Sequence, residues 1–305
     1  MTVASTTSRL VPVMRASLVL LSKFAFVLAA APVVGASVVP VRAGDIERGR
    51  YLVEALAACD NCHTPRGAGG YDPAARFSGG SQTFSDKTYV VRGSNISPDE
   101  ETGVGAWTDA ELRAAIVDGV GREGRLAPVM PSDSYKPLTK SDLDAIIAFL
   151  RSANPVRASL AMPQQRRGEW SPHPVPGAET AFDEAALGDK SKHGLYVASL
   201  ARCMSCHSGE VDGAPDHENR FGAGGKVFRN AAGVAVGSNI TSHPSKGVGA
   251  WSDDELKRAI TQGVSRDGTQ LRPPMSTLSK AHFSKMSPDD LDALVAWMRT
   301  IRPKE

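Results

Sequence analysis

The sequence predicts an all-α protein built as two tandem copies of one helical domain, and three observations carry that expectation. The pentapeptide Cys59-Asp60-Asn61-Cys62-His63 returns as Cys203-Met204-Ser205-Cys206-His207, and the two copies use all four cysteines of the chain. A wider set keeps the same spacing: Cys59, Phe77, Phe84, Asn95, Trp107 and Val120 recur 144 positions later as Cys203, Phe221, Phe228, Asn239, Trp251 and Val264. Duplication explains such a period and chance does not. Each copy also ends in an apolar stripe of helical spacing. The stripe is Leu143, Ile146, Ile147 and Leu150 in the first copy, and Leu291, Leu294, Val295 and Met298 in the second. A chain of 305 residues suits two domains of about 150 each.

Taken in order, residues 1–43 read as a signal peptide. Arg9 and Arg15 precede an apolar stretch that starts near Leu18, and small residues follow at Val34-Gly35-Ala36 and Val41-Arg42-Ala43. This is the order of a secretory leader, with cleavage expected after Ala43. The competing reading is an uncleaved anchor, since Phe24 to Val41 is just long enough to span a membrane, although Pro32 and Pro40 interrupt it. The segment holds Arg9, Arg15, Lys23 and Arg42 and no acid, so its removal turns a formal charge of +2 into about −2. A nucleic-acid binder would carry a strong basic excess, and that class is excluded.

The first domain is read over residues 44–154. A helix from Asp45 to Ala58 leads into the pentapeptide, with Gly49 placed for a close approach by Phe149. Gly67 to Phe84 has few helical signals and reads as irregular. Thr108 and Glu111 form a capping box that opens a helix carrying Leu112 and Ile116. A proline-flanked loop, Ala127-Pro128-Val129-Met130-Pro131, precedes the last helix. Residues 155–187 read as a linker stiffened by Pro155, Pro163, Pro172, Pro174 and Pro176. The second domain, 188–305, repeats the plan. Ser252 and Glu255 form its capping box, Ser287 and Pro288 start its last helix, and Gly194 faces Trp297.

Cys-x-x-Cys-His is the attachment signature of haem c. Two thiols one helical turn apart can each add to a vinyl group on one porphyrin edge, and the next residue then offers its imidazole to the iron. Cys59, Cys62 and His63, and Cys203, Cys206 and His207, are the expected haem-binding residues, with two covalently bound haems per chain. A shared zinc site fits poorly, because each cysteine pair lies in its own repeat. A thioredoxin-like pair would follow a strand, and helical sequence surrounds both motifs. Haem attachment of this kind takes place on the outer side of the bacterial membrane. The expected location is therefore the periplasm, free or attached to the outer face of the inner membrane.

An iron held by one histidine takes a second ligand unless it binds a small molecule. Between Asp45 and Asn154 the sole histidine is His63 and the sole methionine Met130, so Met130 is the expected distal ligand. The second domain offers Met204, Met275, Met286 and Met298. Met204 lies inside the motif, Met298 continues the buried stripe, and Met286 takes the place of Leu138. Met275 follows Pro273-Pro274 as the counterpart of Met130, and it is the chosen metal ligand. Trp107 and Trp251 could donate an indole N–H to a haem propionate or simply pack. Asn95 and Asn239 either bond a propionate or brace a turn, and the turn is the commoner use.

The attachment motifs, the Ser-Asn-Ile stretch with its following Gly-x-Gly-Ala-Trp, and the Pro-x-Met loop resemble the diheme and triheme cytochrome c subunits of bacterial alcohol and gluconate dehydrogenases. The resemblance implies the class I cytochrome c fold in each domain, with His63/Met130 and His207/Met275 as axial pairs. Those subunits often add a third haem domain and a C-terminal membrane-binding tail, and neither is read in these residues. The implied function is electron transfer rather than catalysis. Electrons would pass from a dehydrogenase to a terminal oxidase or another cytochrome in the respiratory chain. The alternative is a diheme peroxidase-type enzyme with a displaceable distal ligand on the second haem, where His217, His243 and His282 stand in sequence.

Overall fold

In the computed structural model, which describes residues 43–305 apart from Ala68, 160–164, 167–170 and 231–232, helices carry the core of both repeats. The expected signal segment lies outside the described residues. The first repeat runs α1 (Ala43–Tyr51), the motif helix α2 (Asp60–His63), α3 (Asp109–Arg113) and α4 (Lys140–Ser152). The second runs α5 (Lys190–Leu200), the motif helix α6 (Cys203–His207), α7 (Asp253–Gln262), α8 (Met275–Ala281) and α9 (Pro288–Thr300). Past Tyr51 the first helix widens over Leu52–Ala57, and Ala58 closes it in the left-handed region with its N–H on the Val53 carbonyl. Both capping boxes form as expected, and Ser287 caps α9 with Pro288 in its first turn.

Two glycines decide how first and last helices meet. A Cβ at Gly49 would lie 1.9 Å from the Ala145 carbonyl oxygen and 2.8 Å from Phe149 Cβ. At Gly194 it would lie 2.1 Å from the Ala293 carbonyl oxygen and 2.4 Å from Trp297 Cβ. The backbones of α1 and α4, and of α5 and α9, touch because both sites lack a side chain. Leu143, Ile146, Ile147 and Leu150 are buried behind this contact, as are Leu294, Val295 and Met298, whereas Leu291 is only partly covered.

The all-α expectation needs correction. Among the described residues, five small antiparallel sheets of two or three short strands stand beside the helices. The three-stranded one joins Thr83–Ser85, Tyr89–Arg92 and Gln165–Arg166. Segments read as irregular for their glycine hold short β-branched and aromatic runs, such as Tyr89-Val90-Val91, between turns. These suffice for hairpins but are too brief to show alternation. Residues 155–187 are also more than a spacer. Gln165–Arg166 pairs with Tyr89–Val90, the His173 N–H donates to Asp133 at 2.6 Å, and Val175 and Ala178 are buried.

The repeat slips by one residue near its conserved-spacing aromatic. Phe77 and Phe221 keep equivalent ring partners, meeting Phe149 and Trp297 edge-on at 6.1 and 6.3 Å. The backbone instead pairs Phe77 with Gly222: each has positive φ, 64° and 75°, and each carbonyl accepts from Ile96 or Ile240 at 2.8 Å.

Where the repeats meet, two matching hydrogen-bond knots tie them together. Asp142, near the start of α4, accepts two bonds from Arg48 of its own repeat, at 2.8 and 2.7 Å, and one from Tyr196 of the other at 2.6 Å. Asp290, near the start of α9, is bonded by His193 of its own repeat at 2.5 Å and by Tyr51 of the other. Burial and the adjacent carboxylate push both phenols up, so each stays a donor. Tyr196 is 1% exposed and Tyr51 only half-buried, so Tyr196→Phe is expected to be the more costly change, by about 1.5–3 kcal/mol. Chemical denaturation of the two phenylalanine variants checks this, and equal or negligible losses would show that the knots do not hold the repeats.

Candidate functional site

Each motif helix follows a residue in the left-handed region, Ala58 at φ 52° and Arg202 at φ 58°, which turns the chain so that the pentapeptide starts a new helix. One turn of helix then brings Cys59 and Cys62, or Cys203 and Cys206, to the same side. At the end of that turn His63 Nδ1 donates to the Ser94 carbonyl at 2.7 Å, and His207 Nδ1 donates to the Ser238 carbonyl at 2.7 Å. A carbonyl only accepts, so both imidazoles carry the proton on Nδ1 and present Nε2 as a lone-pair donor. Burial also lowers the pKa of both rings and keeps them neutral, as a metal ligand requires.

No disulfide joins the four cysteines to one another. Burial pushes Cys59 and Cys203 up to about 12, with Cys206 also raised by burial. Redox-active or zinc-binding cysteines sit where thiolate is favoured, and Cys59, Cys203 and Cys206 sit where it is not. Among the described residues no group of three or more His, Cys, Asp or Glu side chains is placed to hold a metal ion. Paired thiols on one helical turn, followed by an oriented neutral imidazole, instead fit a covalently attached haem in each repeat.

Glycines that the sequence reading passed over support these motifs. A Cβ on Gly80 or Gly93 would lie 2.0 or 1.8 Å from the Cys62 carbonyl oxygen, and one on Gly237 would lie 2.0 Å from that of Cys206. The Gly80 N–H donates to Gly93 at 2.9 Å and the Gly225 N–H to Gly237 at 2.8 Å, so a glycine pair beds the first motif, while at the second Gly237 abuts Cys206 and Gly225 faces Arg220. The repeats differ beneath the motif. Asp60 is buried and bonded by Thr64 at 2.6 Å and by Arg76 at 3.0 and 2.7 Å. Met204 takes that place in the second repeat, fully buried among apolar neighbours.

The methionines sort by burial. Met204, Met286 and Met298 are core residues, at 0%, 9% and 6% exposure. Met130 and Met275 are partly exposed at the rim of the same apolar core, in company with Cys59, Cys203, Trp107 and Trp251. Met130 stands in the turn before Ser132–Tyr135, and Met275 is the first residue of α8. Burial thus sets Met130 and Met275 apart from the three core methionines.

The asparagines brace turns. Asn95 Oδ1 accepts from the Ser97 backbone and hydroxyl at 2.9 and 2.7 Å, while its amide donates to the Val156 carbonyl at 2.8 Å. Asn239 does the same with Thr241 and reaches the Lys304 carbonyl at 2.7 Å. Arginines missed in the sequence fix the tryptophan loops. Arg151 donates to the Val104 and Gly105 carbonyls at 3.1 Å and to that of Trp107. Arg299 donates to the Val248 and Trp251 carbonyls at 3.2 and 2.6 Å. Their shared offset from the last-helix aspartates was the signal that could have found them.

Two of the three histidines that motivated an enzymatic alternative, His282 and His243, are bonded away from the motifs. His282 is buried between the repeats, bonded to the Glu54 carbonyl at 2.8 Å and to Tyr71 at 2.7 Å. His243 Nδ1 accepts from the Ser245 and Lys246 backbone at 3.3 and 3.1 Å. His217 packs edge-on against Phe221 and its Nδ1 meets the Ser208 hydroxyl at 3.5 Å, while its buried Nε2 has no hydrogen-bond partner among the described residues.

Comparison with known proteins agrees with this geometry. Residues 193–302 match the cytochrome c family model, and residues 44–150 match that of cbb3-type cytochrome c oxidase subunit III. The fructose dehydrogenase cytochrome subunit of Gluconobacter japonicus is 28% identical, over 85% of this chain and 53% of that protein. The gluconate 2-dehydrogenase cytochrome c subunit of Pantoea cypripedii is 26% identical, over 85% of this chain and 60% of that protein. A protein named diheme cytochrome c-type from Cereibacter sphaeroides is 29% identical, over 85% and 86%. The chain thus spans little more than half the length of the dehydrogenase cytochrome subunits it matches. With a cytochrome domain matched on each repeat, the chain is a two-domain cytochrome c with two covalent haem c groups, similar to the cytochrome c subunits of dehydrogenases.

Proposed function

We propose that this protein is a periplasmic electron carrier that takes electrons from a dehydrogenase and delivers them to the respiratory chain, to a terminal oxidase or a smaller cytochrome. Bound haem supplies a reversible one-electron change at iron, and His/Met ligation favours the reduced state relative to His/His. In this reading Cys59 and Cys62, and Cys203 and Cys206, form the thioether links. His63 and His207 are the proximal ligands, and Met130 and Met275 the distal ones. The dehydrogenase partner is inferred from the names of the relatives, which are cytochrome subunits of fructose and gluconate dehydrogenases. No helix among the described residues is long and apolar enough to cross a membrane.

The observation that carries the proposal is the matched orientation of His63 and His207, each held through Nδ1 by a backbone carbonyl at 2.7 Å. Carbonyl bonds of this kind set the tautomer and aim Nε2 at a metal before it arrives. Intact mass of protein recovered from the periplasm is expected to show two haem additions that survive acid–acetone extraction. Peptide mapping should place them on the two cysteine pairs. One addition, an extractable haem, or zinc in its place would overturn the assignment.

A further inference from the structure

Arg202 breaks the symmetry of the duplicated chain. Its counterpart is Ala58: both precede the first motif cysteine, and both hold the same left-handed conformation. Ala58 is buried and ends in a methyl group, whereas Arg202 puts a cation beside the second attachment site. α5, which ends two residues before Arg202, packs against two elements of the first repeat, Leu52–Ala57 and Ser132–Tyr135. Leu52–Ala57 leads into Cys59, and Tyr135 is buried with its hydroxyl on the Ala57 carbonyl at 3.1 Å. α5 therefore lies against the chain that enters the first motif.

The surroundings of the guanidinium follow from this packing. Burial works against its charge, and Tyr135, Cys62, Cys206 and Cys59 are the groups whose fields act on it. Two of those cysteines belong wholly to the first motif and one to the second. Cys203 feels Arg202 as well. As thioethers the cysteines would be neutral, and Arg202 would remain the charged group near residues of both attachment motifs. Among the described residues no carboxylate is bonded to Arg202, and its field is not cancelled locally.

We propose that Arg202 is a shared tuning cation, set between the two haem attachment edges, which raises the reduction potential of both haems. The proposal rests on haem attachment at both motifs. A positive charge disfavours the more positive oxidised iron and stabilises the reduced one, and it acts over a short low-dielectric path on each side. Arg202 is a positioning charge and not a ligand. Its removal is expected to lower the reduction equilibrium of each haem on the order of tenfold, or about 59 mV for one electron.

Potentiometric titration of wild type, Arg202→Gln and Arg202→Lys tests this, with haem content checked by intact mass. Both potentials should fall in the glutamine protein, while the lysine protein should keep at least half of the wild-type elevation. Arg202→Met supplies an uncharged chain of similar length if the glutamine protein loads haem poorly. Two haems with unmoved potentials, a shift at one haem alone, or equal shifts for Lys and Gln would overturn the proposal while leaving the haem assignment intact. Fewer than two covalent haems in the wild type would overturn both.

Discussion

Met130→Ala is expected to open the first haem alone to carbon monoxide, and Met275→Ala the second alone. Each variant should lose its half of the sulfur-to-iron charge-transfer band while the other haem keeps its spectrum. With the thioether in place an incoming ligand must first displace sulfur, so the wild-type reduced protein should bind carbon monoxide poorly. Met130 and Met275 are partly exposed, and their truncation removes little packing. Met286→Ala is the matching control. At 9% exposure it fills the core at the place of Leu138, so its loss should cost about 2–5 kcal/mol without opening either haem. Carbon monoxide binding by Met286→Ala, with Met275→Ala silent, would show that the second repeat uses the other methionine.

The elements easiest to read from the sequence were those with a local code. The capping boxes at Thr108 and Ser252 need only two residues three apart, and both formed. The close approaches at Gly49 and Gly194 were legible because each glycine interrupts an apolar face and has an aromatic counterpart in the last helix. The hairpins were not legible, since strands as short as Thr83–Ser85 have no period to detect. Nor were the bonds that join the repeats. Tyr196 reaches Asp142 and His282 reaches the Glu54 carbonyl across sequence separations of 54 and 228 residues, which local patterns do not encode. The candidate site divides in the same way. Its cysteines and histidines form a contiguous motif, whereas the glycine beds and the clamps at Arg151 and Arg299 depend on chain brought back from afar.

The reading of His282 shows why composition alone misleads. Three histidines in the second repeat gave an enzymatic alternative its footing, and in the structure His282 and His243 are held by bonds to other groups, while His217 keeps a buried Nε2 without a partner among the described residues. His282 joins Tyr71 to Glu54 across the repeat boundary, a role that a histidine fills with one donor and one acceptor nitrogen. Arg76 was unremarked in sequence, yet it pairs with both Glu54 and Asp60 beneath the first motif, at 2.9 and 2.7 Å. The two repeats thus share a fold while presenting unlike electrostatic floors to their motifs.

Gly93→Ala is expected to abolish haem attachment at the first motif, and Gly237→Ala at the second. The added Cβ of Gly93→Ala would lie 1.8 Å from the Cys62 carbonyl oxygen, 2.6 Å from its carbon and 3.3 Å from the His63 nitrogen. All three are backbone atoms, so no side-chain rotation relieves the clash and the motif helix must move. The neighbouring Ser94 carbonyl holds His63 Nδ1, so the same displacement also loosens the imidazole. Overpacking of this kind costs about 1–3 kcal/mol or more, and here it falls on thiol spacing that must match two vinyl groups. At Gly237 the added Cβ meets the Cys206 carbonyl oxygen at 2.0 Å, and the adjacent Ser238 carbonyl holds His207. Gly67→Ala serves as control, because a Cβ there meets nothing within 4 Å. Haem-to-protein stoichiometry should fall from two to one in each bed variant and stay at two in the control, with the surviving haem mapped to the untouched cysteine pair. Full loading of Gly93→Ala with an unchanged melting temperature would show that the motif does not depend on its glycine bed.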